Sequence, residues 1–181
     1  AIGPGLGRDA WSQDLLSRVL EAEVPMVIDA DGLNLLSLQP TVSESWILTP
    51  HPGEAGSLLG NVTGEVQLDR PRAAREIQQR YGGICVLKGA GTLVAAPGSK
   101  LWLCDRGNPG MASAGMGDLL TGVIGSLLGQ GLGIQDAAKL GAWLHSAAAD
   151  LAVTDGERGM IARDLLPALR LLVDQPAAVD E

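Results

Sequence analysis

Short apolar runs recur through the first half of the chain. They lie at 24–28, 46–48 and 84–87, and continuous runs of this length are typical of strands that are covered on both faces of a sheet. Two further apolar stretches, 93–96 and 100–104, are separated by a Pro-Gly-Ser turn. Their arrangement predicts a β-hairpin.

Segments with apolar residues at helical spacing fill the gaps and dominate the second half of the chain. The spacing predicts helices at about 10–21, 65–81, 116–128, 134–153 and 162–173. Strands that alternate with helices predict an α/β fold in which a mainly parallel sheet carries helices on both faces. We expect a single domain over 1–181, and in such sheets ligands bind outside the carboxyl ends of the strands.

Composition disfavours several classes of partner. The formal net charge is −8, with no Phe and one Tyr, which argues against nucleic acids and anionic membranes. No apolar run approaches the roughly 18 residues of a membrane helix, and no signal peptide is recognisable. Cys85 and Cys104 lie outside any CxxC pair, so we interpret both as reduced thiols of a cytoplasmic protein.

The strongest candidate for chemistry is the glycine-rich stretch from Asn108 to Asp118, Asn-Pro-Gly-Met-Ala-Ser-Ala-Gly-Met-Gly-Asp. A glycine turn that runs into a helix leaves backbone N–H groups free and adds the positive end of the helix dipole, which suits a phosphate. Asp118 would then take a proton from a hydroxyl while the amides hold a transferring phosphoryl group. The alternative is an acid that only caps the helix.

Two further loops follow predicted strands. Lys88-Gly-Ala-Gly-Thr92 places a cation and a hydroxyl on a glycine turn, which suits a nucleotide phosphate or ribose; a plain hairpin turn with an exposed lysine is the alternative. Thr49-Pro-His-Pro-Gly-Glu54 forms a rigid loop. There His51 or Glu54 would contact substrate or a metal-bound water, unless Glu54 only caps a helix and His51 lies at the surface.

Polar residues also follow the run at 24–28. Asp29 and Asp31 either hold Mg²⁺ through water or act as a hydrogen-bond partner and a helix cap, and we favour this supporting role, with Asn34 facing the site. His145 lies among alanines in a predicted helix and is interpreted as structural.

The glycine turn at 3–7 either admits a substrate against the backbone or is simply a tight turn. Such a turn usually follows a strand, yet two residues precede it, so we expect a fragment without its N-terminal strands.

Taken together, these motifs resemble one protein family. The stretch 108–118 is similar to the anion hole and catalytic acid of the ribokinase-like superfamily. The five segments at 3–7, 27–32, 48–54, 87–92 and 108–122 resemble the NAD(P)H-hydrate dehydratase branch of that superfamily, in order and over nearly all of the chain. The resemblance implies a ribokinase-like three-layer αβα sandwich that normally begins with further strands and helices.

This resemblance also implies an activity. The family removes water from the S-form of hydrated NADH or NADPH and couples this to cleavage of ADP in bacteria or ATP in eukaryotes. The implied catalytic base is Asp118, and the proline-rich loop favours ADP, with Mg²⁺. The resemblance implies that Gly3, His51 and Asp118 contact the hydrate, and the motifs add Gly5, Asn34 and Glu54 as further candidates for hydrate binding. The residues implied to bind the nucleotide are Lys88, Gly89, Ala90, Gly91, Thr92, Asn108, Ser113, Gly115, Met116 and Gly117. No metal ligand is assigned.

Other expectations and alternatives accompany this interpretation. The resemblance implies a homo-oligomer and, in a full-length protein, an N-terminal NAD(P)H-hydrate epimerase domain. A small-molecule kinase of the same superfamily, for a hydroxymethylpyrimidine, thiazole or sugar, is the first alternative. A non-catalytic nucleotide sensor is the second, although a sensor has no need of a base at Asp118.

Overall fold

The computed structural model describes residues 1–174, and in them five strands form one sheet. The sheet has the order β1-β2-β3-β4-β5. Its strands are β1 (Met26–Ile28), β2 (Trp46–Leu48), β3 (Ile84–Leu87), β4 (Leu93–Ala95) and β5 (Trp102–Leu103). All five predicted strands are present, and β1, β4 and β5 are shorter than predicted.

The sheet is mixed, with a parallel half and an antiparallel half. β1, β2 and β3 run parallel, and Ile2 adds a parallel bridge beside Ile28. β4 and β5 then follow in antiparallel pairing, as the predicted hairpin. The reason is chain length, because the short loop between β3 and β4 cannot make the long crossover that a parallel pair requires.

The described helices account for most of the remaining residues. They are α1 (Ala10–Leu20), α2 (Ala30–Leu38), α3 (Pro52–Leu59), α4 (Thr63–Leu68), α5 (Arg70–Tyr81), α6 (Met116–Gly129), α7 (Ile134–Ala152) and α8 (Leu165–Asp174). No helix within residues 1–174 is both long and apolar enough to cross a membrane.

The single helix predicted over 65–81 is wrong, because the chain forms α4 and α5 instead. Asp69 lies between them with φ −146° and ψ 73°, and its side chain accepts a hydrogen bond from Arg72 N. Pro71 has no N–H to donate to the carbonyl of Gln67, four residues earlier, and its ring would clash with that carbonyl in a continuous helix. The last predicted helix also begins differently, with a short 3₁₀ turn before α8.

Alternate residues of the strands face two separate cores, which makes three layers. Met26, Ile28, Trp46 and Leu48 pack against α2 to α5. Val27, Ile47, Val86 and Val94, with others, pack against α6 and α7 on the opposite face. Cys85 and Cys104 are buried free thiols. The architecture is therefore the predicted αβα sandwich, and the carboxyl ends of β1 to β3 lie at one edge of it.

Candidate active site

The predicted functional loops meet at the carboxyl edge of the parallel strands. Asp29, Thr49 and Lys88 each follow the last residue of their strand. The start of α6 lies above them, since a Cβ placed on Gly117 would be 3.2 Å from Lys88 Nζ and 3.5 Å from Asp29 Oδ2. A side chain at position 117 would crowd the ammonium group of Lys88.

A buried ion pair forms the floor of this edge. Lys88 Nζ lies 2.6 Å from Asp29 Oδ1 and 3.7 Å from Glu54 Oε2. Thr121 of α6 donates to Asp29 Oδ2 at 2.9 Å. The Lys88 side chain is only 18% exposed, so the alternative of an exposed lysine on a plain hairpin turn is wrong.

The two aspartates after β1 have separate partners. Asp29 is held by Lys88 and Thr121, as described, and is buried. Asp31 accepts from Gly7 N at 2.9 Å and from Arg8 Nε at 3.3 Å. The predicted buried hydrogen bond of Asp29 is therefore present, but the predicted helix cap at Asp31 is wrong, because Asp31 lies inside the first turn of α2 and its oxygens accept from the 3–7 turn and Arg8. A Mg²⁺ shared by the two aspartates does not agree with this geometry.

His51 and Glu54 close the start of α3 with a reciprocal cap. Glu54 Oε2 accepts from His51 N at 2.7 Å, and His51 Nδ1 accepts from the N–H groups of Gly53 and Glu54. Because Nδ1 is an acceptor, the neutral ring carries its hydrogen on Nε2. The ring itself is 56% exposed beside the edge, so capping does not remove it from contact with a ligand.

The turn at 3–7 lies directly on the end of β1. Gly3 has φ +131°, and a Cβ there would be 1.8 Å from the carbonyl oxygen of Asp29. Gly5 has φ +67° with open space around it.

Asn34 is expected to face the site. Its side chain donates to Ala30 O within α2, so the hydrogen bond that the structure gives it is internal to the helix.

Asn108 is fixed at the other end of the glycine-rich motif. Its Nδ2 donates to Asp150 Oδ1 at 3.2 Å, and its Oδ1 accepts from Gly110 N at 3.1 Å. Asp150 also accepts from Gly107 N. Sequence analysis missed Asp150, because nothing near it along the chain marks a residue of α7 as the anchor of a distant loop.

The start of α6 has no side-chain cap. Gly115 has φ +84°, and no side chain bonds to the first turn. Asp118 lies in that turn and is exposed, so the capping alternative is not what the structure shows. Uncapped N–H groups at the positive end of a helix form a site for an anion, with the carboxylate of Asp118 beside it.

A groove opens next to this motif. Its volume is about 470 Å³, and it is lined by residues of 109–113 and 157–161, among them Ser113 and Arg158. The second segment carried no motif in the sequence. Gly110 lies close to it, since a Cβ there would be 2.6 Å from Glu157 O.

His145 lies behind the start of α6 and is 5% exposed. Burial lowers the pKa of His145 to about 4; the backbone of Met116 opposes this shift and the charge of Lys88 adds to it. The ring is therefore neutral at pH 7, in agreement with its interpretation as a structural residue.

Comparison with known proteins identifies the family. The model of a family described as NAD(P)H-hydrate dehydratase matches residues 1–170. The chain belongs to the NAD(P)H-hydrate dehydratase family. The predicted resemblance is thereby confirmed.

Relatives of the chain include longer proteins. A bifunctional NAD(P)H-hydrate repair enzyme of Coxiella burnetii is 52% identical over 174 residues, which cover 96% of the chain and 36% of the relative. An ADP-dependent (S)-NAD(P)H-hydrate dehydratase of Neisseria meningitidis is 42% identical, with coverage of 94% and 61%. The chain thus spans about a third of the length of bifunctional relatives.

A solved structure extends the similarity to the fold. The ADP/ATP-dependent NAD(P)H-hydrate dehydratase of Bacillus subtilis, co-crystallised with ATP and Mg²⁺ and soaked with CoA, is 32% identical, with a TM-score of 0.86 over 95% of this chain and 64% of that one. The ribokinase-like fold class is confirmed by this similarity.

The donor groups of the site fit a magnesium ion that is carried by a nucleotide. Residues 1–174 contain no group of three or more His, Cys, Asp or Glu side chains placed to hold a metal. Mg²⁺ at phosphate sites commonly takes only one or two carboxylates, together with phosphate oxygens and water. A Mg²⁺ ion that arrives with a nucleotide would therefore need few protein ligands here.

Proposed function

We propose that this chain is an ADP-dependent (S)-NAD(P)H-hydrate dehydratase, a lyase that returns hydrated NADH or NADPH to the normal cofactor. One observation carries the proposal: the uncapped start of α6, with Asp118 in its first turn, lies over the Lys88–Asp29 pair in a chain of this family. The curated name of the Neisseria relative supports ADP as the co-substrate.

On the hydrate side, Asp118 is the proposed base. The proposed contacts of the hydrated nicotinamide nucleotide are Gly3, Gly5, Asn34, His51, Glu54 and Asp118. The exposed ring of His51 and the open space around Gly5 support this assignment, because both leave imidazole and backbone groups accessible to a ligand.

On the nucleotide side, the two glycine-rich loops hold ADP. The first loop contributes Lys88, Gly89, Ala90, Gly91 and Thr92, and the second contributes Asn108, Ser113, Gly115, Met116 and Gly117. The N–H groups of Gly117 and Asp118, for which the described residues offer no acceptor, support binding of the terminal phosphate, whereas Met116 N donates to Ser113 O. A bound Mg²⁺ would offset negative charge on the phosphate oxygens.

The proposed reaction solves a leaving-group problem, since hydroxide is a poor leaving group at neutral pH. Asp118 accepts the proton of the hydrate's hydroxyl while the hydroxyl oxygen attacks the β-phosphorus of ADP. The bond between the β-phosphorus and the oxygen of the α-phosphate breaks, and AMP is released. The amides of 115–118 stabilise the charge on the transferred group. The ring nitrogen then expels phosphate, the neighbouring carbon gives its proton to the released phosphate, and the ring double bond forms again.

The wider setting is also a proposal. We place the chain in one domain over 1–181, in the cytoplasm, as part of a homo-oligomer. The bifunctional names of several relatives support an N-terminal NAD(P)H-hydrate epimerase domain in a full-length protein.

The test is restoration of NADPH absorbance from the purified S-form hydrate. The chain is incubated with Mg²⁺ and either ADP or ATP, beside the Neisseria dehydratase as a positive control. Recovery with ADP and release of phosphate support the proposal, and recovery with ATP alone overturns the choice of nucleotide. A stable phosphorylated product favours the kinase alternative. No recovery, while the control is active, contradicts activity of this chain.

A further inference from the structure

Arg70 reaches the underside of the loop that joins β3 to β4. It is the first residue of α5, which packs against both strands. Its Nη1 donates to Ala90 O, and its Nη2 lies 3.0 Å from Gly91 O and 3.4 Å from the carbonyl oxygens of Leu87 and Lys88. One guanidinium therefore contacts four carbonyls of a single short segment.

This guanidinium has an unusual environment for a cation. Among residues 1–174 it forms no ion pair with a carboxylate, and its Nε is buried without a hydrogen-bond partner. Burial lowers the pKa of Arg70, although a guanidinium stays charged in proteins. The positive charge is thus compensated by the carbonyl dipoles of the loop.

The positions of the carbonyls determine where the loop's N–H groups point. The carbonyl and N–H of a trans peptide point in opposite directions, and the chain has no cis peptide bond in the described part. Arg70 holds the carbonyls of Lys88, Ala90 and Gly91, so the N–H groups of residues 89, 91 and 92 face away from it. None of these three finds an acceptor among the described residues.

The glycines of the loop are part of this arrangement. Gly89 has φ +141° and Gly91 has φ +67°, a region that side chains other than glycine rarely adopt. A Cβ on Gly89 would lie 2.9 Å from Arg70 Nη2. The loop is therefore shaped to rest on the guanidinium.

We propose that Arg70 is the positioning residue of the 88–92 loop, and that it presents the N–H groups of Gly89, Gly91 and Thr92 to an oxyanion of the adenine nucleotide. This inference rests on the proposed function, because it takes ADP as the ligand of the loop. The guanidinium also polarises the peptides that it holds, which strengthens their N–H groups as donors. Arg70 itself acts from behind the loop and does not touch the ligand.

The test compares three variants with the unmodified chain. Arg70→Ala removes the guanidinium, Arg70→Lys keeps the charge but not the planar fork, and Arg75→Ala is the control, since Arg75 is exposed on the same helix. Calorimetry measures the Kd for ADP, steady-state kinetics gives separate KM values for ADP and hydrate, and thermal unfolding reports Tm.

We expect Arg70→Ala to raise the Kd and KM for ADP about tenfold or more, as for the loss of a charged hydrogen bond, and to change the KM for hydrate by less than about twofold. Arg70→Lys should recover only part of the affinity, because lysine lacks the fork of donors. Guanidinium ion at tens of millimolar should restore ADP binding to Arg70→Ala, with no effect on Arg75→Ala.

The outcomes separate this inference from the proposed function. If the unmodified chain binds ADP and Arg70→Ala or Arg70→Lys binds it equally well, the role of Arg70 is overturned and the proposed function stands. Equal rises in the KM for ADP and for hydrate, without guanidinium rescue, indicate a general structural role and also overturn it. If the unmodified chain binds no adenine nucleotide, both proposals fail. Should Arg70→Ala not fold, Arg70→Lys decides.

Discussion

The ammonium nitrogen of Lys88 lies 2.6 Å from Oδ1 of Asp29, and this ion pair joins the ends of β3 and β1 across β2. The two residues are 59 positions apart in sequence. Thr121 donates to the other oxygen of the same carboxylate, so the pair also anchors α6 to the sheet edge. One contact thereby joins the loops that we propose to bind the hydrate to those that we propose to bind the nucleotide.

Replacement of this lysine by an apolar residue should destabilise the fold. Lys88→Met leaves the carboxylate of Asp29, whose side chain is 2% exposed, without its cation. Loss of one partner of a buried pair costs about 3 kcal/mol or more, and we expect that loss in the free energy of unfolding, measured by urea denaturation. Lys100→Met, at an exposed lysine, is the control. A loss below about 1 kcal/mol would contradict a stabilising role for the pair.

Replacement of the proposed base should affect turnover and spare the fold. In Asp118→Asn the amide cannot accept the hydroxyl proton, so kcat should fall by about 10²–10⁴-fold. The Kd for ADP and the Tm should stay close to those of the unmodified chain, because Asp118 is exposed and caps nothing. Asp136→Asn, in the first turn of α7, serves as the control. Turnover near the original level in Asp118→Asn would exclude this role.

The turn at 3–7 offers a matched pair of glycine substitutions. Gly3→Ala would place its Cβ 1.8 Å from Asp29 O, whereas Gly5→Ala meets nothing within 4 Å. Both positions have positive φ, so both should lose about 1 kcal/mol to backbone strain. Gly3→Ala should lose at least about 2 kcal/mol more by urea denaturation, as the loop must move off β1. Equal losses would mean that the turn is free to shift.

Much of the fold and of the site's position could be predicted from sequence. The runs at 46–48 and 84–87 became β2 and β3 because they are apolar on both faces, and only a covered sheet accommodates that pattern. The topology of such sheets then places every loop after a parallel strand at one edge. That rule predicts that Asp29, His51 and Lys88 lie close together.

The partners of these loops could not be predicted in the same way. Arg70 contacts carbonyls 17 to 21 residues away, and Asp150 holds Asn108 from 42 residues away. A side chain that bonds to a distant backbone leaves no periodic pattern near itself, because its partners are carbonyl and N–H groups that every residue carries. The break between α4 and α5 at Asp69 is different, since Pro71, two residues later, is a local sequence signal for it.

Acid should weaken the fold through His145. Burial lowers the pKa of His145 from 6.5 to about 4, so between these values the unfolded chain binds a proton that the folded chain excludes. The free energy of unfolding is therefore unaffected by this residue's titration above pH 6.5. It declines as the pH falls towards 4, by up to about 3 kcal/mol. Replacement of His145 should remove this pH-dependent decline in stability.

The measurement is the free energy of unfolding of the original chain and of His145→Gln from pH 7.5 to 4.5. At pH 7.5 the imidazole is neutral in both states, so the difference there reports only the packing cost of the substitution. As the pH falls, the original chain should lose more stability than the variant, and the two curves should converge. Parallel curves would show that the folded protein admits the proton, contrary to a ring that is 5% exposed with an unpartnered Nε2.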